Sequence, residues 1–144
     1  MNDNKLFDLR EYRDLYQKDV AEIVGVKQQT YSLWERGIKI IPLKHLNTLC
    51  NYYKVSMDYV MGLGKDKYCD LAIIKTLDKK LIGNNIKHIR EKHHLTTRDL
   101  AKFLNTTPST ISYYENGKTL IITAFAYQIC KQYKISLDWL CGKK

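Results

Sequence analysis

The sequence predicts an all-α chain of two tandem domains, each of about five helices. Three observations predict it. Shifting the numbering by 80 lays residues 9–62 on residues 89–142 without a gap, with identities that include Arg10/Arg90, Asp19/Asp99, Ala21/Ala101, Ser32/Ser112, Glu35/Glu115, Gly37/Gly117 and Ser56/Ser136. An ungapped self-match of this length marks a duplicated unit. Apolar residues also recur at helical spacing within each copy. Finally, Gln17 to Gly37, QKDVAEIVGVKQQTYSLWERG, reads as two short helices joined by a tight turn.

Each element follows from its own residues. The first helix is expected from about Asn4 to Arg13, with Leu6, Leu9 and Tyr12 inward, and its counterpart from Asn84 to His93, with Ile86 and Ile89 inward. The second helix, Lys18 to Val24, has Val20, Ala21 and Ile23 or Val24 as its apolar face. Gly25 stands where a chain leaving a helix most easily takes a positive φ. Val26 makes the corner, and Lys27 to Arg36 resumes the helix with Tyr31 and Trp34 inward and Gln28, Gln29 and Ser32 outward. In the second copy Thr96 is placed to cap the helix that Thr97 opens, whereas Tyr16 is a poorer cap at the same position. Pro42 opens a fourth helix that buries Leu43, Leu46, Leu49 and Cys50, matched by Phe125, Ile129 and Cys130. Ser56 and Ser136 are expected to cap a short last helix, Met57–Met61 and Leu137–Cys141.

These elements imply domains at 1–64 and 83–144 joined by a linker at 65–82. The linker is neither Gly/Ser-rich nor Pro-rich, and Leu71, Ile74, Leu77 and Leu81 lie at near-helical spacing, which predicts a short helix within it. About 20 half-extended residues reach the roughly 34 Å between successive major-groove faces.

Composition and charge narrow the function. The 144 residues carry 24 Lys/Arg against 15 Asp/Glu, a net +9. Residues 1–63 hold nine against eight, residues 64–84 five against three, and residues 85–144 ten against four. The second copy therefore holds most of the excess, which attracts phosphate without regard to sequence. No apolar run is long enough to span a bilayer, and no signal-peptide pattern follows Met1, so a cytoplasmic protein without membrane contact is expected. The four cysteines lack CxxC spacing and read as reduced thiols, with Cys50 and Cys130 in apolar surroundings.

The stretch Thr97-Arg98-Asp99-Leu100-Ala101, followed by Pro108-Ser109-Thr110-Ile111-Ser112-Tyr113-Tyr114-Glu115-Asn116-Gly117 and Ile135-Ser136-Leu137-Asp138-Trp139-Leu140, carries a resemblance that can be named. Both copies resemble the phage lambda repressor/Cro family of helix-turn-helix domains, also called the xenobiotic-response-element type. The resemblance covers roughly four-fifths of the chain. It implies double-stranded DNA as the partner, read by a recognition helix in the major groove. By resemblance the base-contact candidates are Lys27, Gln28, Gln29, Ser32 and Leu33 in the first copy. In the second they are Pro108, Ser109, Thr110, Ser112 and Tyr113. Glutamine can bond bidentately to adenine N6 and N7, so Gln28 and Gln29 are the stronger readers. The phosphate-contact candidates are Gln17, Lys18, Thr30, Arg36 and Lys39, then Thr97, Arg98, Thr107, Asn116, Lys118 and Thr119.

Other motif residues read as structural. Trp34 and Tyr114 are expected beneath the recognition helices, and Glu35 and Glu115 are expected to tie the helix ends to Arg10 and Arg90. A catalytic carboxylate pair is the sharper alternative, but the partners for acid–base work are missing. His93 and His94 have no Cys or carboxylate at ligand spacing. No enzyme activity, cofactor, metal or small-molecule ligand is therefore expected. The aliphatic runs Ile38-Lys39-Ile40-Ile41 and Leu120-Ile121-Ile122 either fold back on their own domains or form an interface, which in one form is a homodimer. The near-neutral first copy and these runs motivate a different function class, a protein-interaction module of the antitoxin or phage-regulator kind.

Overall fold

A computed structural model of the chain describes residues 4–68 and 71–144. It folds as two compact units, Met1–Lys75 and Thr76–Lys144. Among the described residues every regular element is an α-helix, five in each unit. Unit 1 contains α1 (Leu6–Tyr12), α2 (Gln17–Val24), α3 (Gln28–Glu35), α4 (Leu43–Tyr53) and α5 (Met57–Val60). Unit 2 contains α6 (Lys79–Lys92), α7 (Thr97–Leu104), α8 (Pro108–Glu115), α9 (Thr123–Tyr133) and α10 (Leu137–Leu140).

In unit 1 the predicted apolar faces close on one core. Leu6, Val20, Ala21, Tyr31, Trp34, Leu43, Leu46, Leu49, Cys50 and Met57 are all buried. Unit 2 builds its own core from Ile82, Ile86, Leu100, Ala101, Ile111, Tyr114, Ile129, Leu137 and Leu140. Each Leu, Ile, Val or Met side chain among them, taken fully out of water, contributes about 1.5–3 kcal/mol, which is what holds domains this small together.

The turns repeat as faithfully as the helices. Gly25 ends α2 at φ +76, and Asn105 ends α7 at φ +58. Glycine pays no Cβ penalty there, and asparagine tolerates the same left-handed geometry through local hydrogen bonding. The helix starts are capped as their residues dictate. Thr96 Oγ1 accepts from the Asp99 N–H while the Asp99 carboxylate accepts from the Thr96 N–H. Tyr16 contributes no side-chain cap, and only the Asp19 carboxylate closes that turn by accepting from the Tyr16 N–H. Ser56 and Ser136 cap α5 and α10 by accepting from Tyr59 and Trp139 N–H groups.

Three expectations need correction. Tyr12 is 79 % exposed at the end of α1, with the Lys67 ammonium 5.4 Å from its ring centroid. The helix expected within residues 71–81 does not form over 71–78. There the backbone is held instead by Asn47 and Asn51 of α4, whose amides both donate to the Ile74 carbonyl at 2.6 and 2.9 Å. Helix α6 in turn begins at Lys79 rather than Asn84, because the Asp78 carboxylate accepts from the Lys80 and Leu81 N–H groups and starts it early. Cys50, Cys130 and Cys141 are buried, and Cys69 lies outside the described residues.

The aliphatic runs are partly buried and partly exposed. Ile41 and Ile121 go into the cores, whereas Ile38, Ile40 and Ile122 remain exposed.

Candidate nucleic-acid interface

In unit 1 the second helix and the turn carry α3 across the domain with its inner face buried and its first turn open. Tyr31 and Trp34 are the buried side of α3. Trp34 meets Tyr31 edge-on at 6.3 Å and stacks on His45 of α4 at 5.2 Å. The opposite side is polar and accessible. Lys27, at the N-cap, and Gln28 and Gln29, in the first turn, are exposed, while Ser32 and Leu33 are half-buried one turn later.

The fold brings most of the first-copy candidates together. Gln17, Gln28, Gln29, Ser32, Leu33 and Arg36 line one open recess. A second one, lined by Arg10, Tyr16, Gln17, Lys18 and Gln28, shares Gln17 and Gln28 with it. The start of α2 and the start of α3 thus face the same space, where a phosphate contact and a base contact can be made together. Thr30 is half-buried, and Lys39 is exposed in the turn after α3 with its N–H bonded to the Leu33 carbonyl.

Two candidates are already engaged inside the protein. Arg36 Nε donates to Ser32 Oγ at 3.1 Å. Gln17 Nε2 donates to Glu35 Oε1 at 3.3 Å, and Glu35 is itself clasped by Arg10 through Nε and one terminal nitrogen, both at 2.9 Å. Burial by itself would raise the Glu35 carboxyl, but the hydrogen bonds from Arg10 and Gln17 outweigh it and hold the group below the usual carboxylate range. Glu35 therefore stays charged, keeping Arg10 and Gln17 in place at the edge of the recess.

Unit 2 presents the corresponding residues with less reading power. Pro108 and Ser109 are exposed at the start of α8, Ser112 is half-buried, and Tyr113 is 48 % exposed with the Lys118 ammonium 5.5 Å from its ring centroid. Thr107 caps α8 by accepting from the Thr110 N–H, and the two threonine hydroxyls bond each other at 3.0 Å. Both hydroxyls are thus occupied by the cap. Arg98, Asn116, Lys118 and Thr119 are exposed, and Thr97 is half-buried. Arg90 repeats the clasp on Glu115 at 2.7 and 3.0 Å.

The helix-turn-helix family profile matches residues 6–60 and, again, residues 86–140. The chain belongs to the lambda repressor/Cro-type helix-turn-helix family of DNA-binding transcription regulators, in two tandem copies. The HTH-type transcriptional regulator YobD of Bacillus subtilis is 32% identical to this family member over 88 residues, 61% of this chain and 70% of YobD. The cryptic phage CTXphi transcriptional repressor RstR of Vibrio cholerae is 38% identical over 84 residues, 55% of this chain and 76% of RstR. Antitoxin PezA of Streptococcus pneumoniae is 34% identical over 63 residues, which span 44% of this chain and 40% of PezA. Among solved structures, the clp gene regulator ClgR of C. glutamicum superposes at a TM-score of 0.40 with 20% identity, over 44% of this chain and 83% of ClgR.

Among the described residues no group of three or more His, Cys, Asp or Glu side chains is placed to hold a metal ion. No helix there is long and apolar enough to cross a membrane.

Proposed function

We propose that this tandem helix-turn-helix protein is a sequence-specific transcriptional regulator, acting as a repressor, whose α3 reads base edges in the major groove of double-stranded DNA. The observation that carries this reading is the shared recess of Gln17, Gln28, Gln29, Ser32, Leu33 and Arg36 at the start of α3. Gln28 and Gln29 offer bidentate pairing to adenine, and Lys27, Ser32 and Leu33 complete the reading edge. Gln17, Lys18, Thr30, Arg36 and Lys39 hold the backbone around it.

In unit 2 the base-reading residues are Ser109, Ser112 and Tyr113, with Pro108 and Thr110 shaping the helix start. Thr97, Arg98, Thr107, Asn116, Lys118 and Thr119 make the backbone contacts. Its positive excess suits an anchor, while unit 1, nearly neutral, supplies discrimination. The two copies then recognise different half-sites, so the operator need not be a palindrome unless the chain also forms a homodimer. The protein works in the cytoplasm and catalyses no reaction.

Selection from a pool of random duplexes, followed by a salt titration on the winner and on a scrambled control, tests this reading. An enriched motif is expected, and Gln28→Ala with Gln29→Ala should relax it at defined positions while leaving the salt slope nearly unchanged. Loss of all binding to both duplexes in parallel as salt rises, with no motif enriched, would overturn it. That result would move the search to a protein partner, as the likeness to an antitoxin suggests.

A further inference from the structure

We propose that the first turn of α6 forms an additional DNA-backbone contact in unit 2, made by Lys79 and Lys80 together with Lys118. The inference rests on the DNA-binding reading above and adds a surface that the recognition motif does not contain.

Helix α6 starts seven residues before the position equivalent to the start of α1, since Leu6 corresponds to Ile86 and α6 begins at Lys79. This extra length is fastened to the end of the recognition helix by two backbone contacts. Gly83 lies against the Tyr114 and Glu115 carbonyls at the end of α8, so closely that a Cβ there would collide with them. A Cβ on Gly117 would come within 2.9 Å of Lys80 Cα. With no side chain between them, the first turn of α6 and the turn after α8 touch directly. Lys80 is thereby set beside Gly117, one residue from Lys118, on the edge of unit 2 at the end of α8.

This edge carries three ammonium groups against the one Asp78 carboxylate at the N-cap of α6. Lys79, Lys80 and Lys118 are exposed, and none of them forms an ion pair among the described residues. The two nearest acidic residues in sequence are otherwise engaged. The Asp78 carboxylate accepts from the Lys80 and Leu81 N–H groups, and the buried Glu115 carboxylate is clasped by Arg90. Cations in the first turn of a helix also stand at the wrong end of its dipole, and the single Asp78 carboxylate at the N-cap offsets only part of the charge of Lys79, Lys80 and Lys118, which leaves this edge favourable to a further anion. A polyanion lying along α8 supplies that anion, and this edge is continuous with the surface that α8 presents. The double-helix backbone is the partner that fits both the charge and the continuity.

The test uses the full chain and the duplex selected above. Lys79→Gln with Lys80→Gln is expected to weaken binding roughly tenfold or more near 0.1 M salt and to flatten the slope of log K against log salt by about 1 to 2. The enriched motif should not change, since backbone contacts carry no base information. Lys79→Arg with Lys80→Arg should restore both values, and thermal melting of all variants should match the parent. A control that removes the same charge at the far ends of α7 and α9, Lys102→Gln with Lys131→Gln, should leave the slope nearly unchanged. A normal slope in the Lys79/Lys80 variant overturns the proposal while leaving the DNA-binding reading standing. An equal loss in the control overturns it as well, by showing diffuse attraction. If the parent binds no duplex, both readings fall together, and binding to an acidic protein that depends on these lysines would then mark the same surface with a different partner.

Discussion

The Arg10 guanidinium clasps both carboxylate oxygens of Glu35 at 2.9 Å while its remaining terminal nitrogen donates to the Leu15 carbonyl at 2.8 Å. Arg90 makes the same three bonds to Glu115 and Leu95, eighty residues later. One side chain thus joins the first helix, the turn after it and the end of the recognition helix. The side chains are well shielded, 11 % and 4 % exposed in unit 1 and 13 % and 6 % in unit 2. Removing one partner would leave the other charge buried and unpaired, so Glu35→Ala is expected to destabilise unit 1 by about 3 kcal/mol. Glu115→Ala should do the same to unit 2. Urea unfolding followed by Trp34 fluorescence for unit 1 and Trp139 fluorescence for unit 2 checks both; a loss below about 1 kcal/mol would show that the clasp is not structural.

The units should differ in mild acid. His45 stacks on Trp34, and burial, with the neighbouring Lys44, lowers its pKa below the ordinary histidine value. Because the folded state disfavours the proton, its contribution is complete above about pH 6.5 and declines as pH falls through the lowered value. Glu35 adds to this at lower pH, since its carboxyl is held below the usual range and its stabilisation is lost only as that group is protonated. Unit 2 carries Phe125 at the position of His45. Unit 1 is therefore expected to lose melting temperature between pH 7 and 5 while unit 2 changes less. His45→Phe should remove the difference over that interval, and an unchanged pH profile in this variant would rule the histidine out.

Gly83→Ala is expected to be among the most damaging single substitutions in unit 2. The new methyl would meet the Tyr114 and Glu115 carbonyls, which are backbone and cannot swing aside. Either α6 or the end of α8 must move, at a cost of about 1–3 kcal/mol or more. Calorimetry should show the lower-melting transition, and DNA affinity should fall through unit 2 even though Gly83 touches no duplex. An alanine variant as stable as the parent would contradict the close approach.

The Ile74 carbonyl is held by two amides on α4. Asn47→Ala with Asn51→Ala removes both donors to the Ile74 carbonyl and leaves that acceptor without them. Hydrogen exchange and limited proteolysis are expected to rise around Ile74, over residues 71–75, with little change in the helices of either unit. Protection that is unaffected would mean the segment is held by other contacts.

Much of the placement of the candidate residues was legible because its determinants are local or repeated. Gln28 and Gln29 read as exposed because Tyr31 and Trp34, two to six residues on, must point inward. The clasps were legible because Arg10/Arg90 and Glu35/Glu115 recur at the same offset within each copy. The occupied hydroxyls were less visible. Thr110 matches Thr30 in sequence, yet its hydroxyl is spent on Thr107, a residue replaced by Lys27 in the first copy.

By itself the sequence determined the two all-α units, the helix-turn-helix in each, the caps at Thr96, Ser56 and Ser136, and the exposed polar start of α3. All of these depend on spacing along a few turns of one chain, where periodicity and capping chemistry act directly. Only the tertiary structure decided that Tyr12 stays in solvent, that residues 71–78 form no helix while the Ile74 carbonyl is held by α4, and that the early start of α6 lies against the end of α8. Those outcomes depend on which surfaces and carbonyls arrive from distant residues, Asn47 and Asn51 for Ile74, Tyr114 and Glu115 for Gly83. Helical periodicity describes a face that could be buried; what covers it is settled by the partner that packs there.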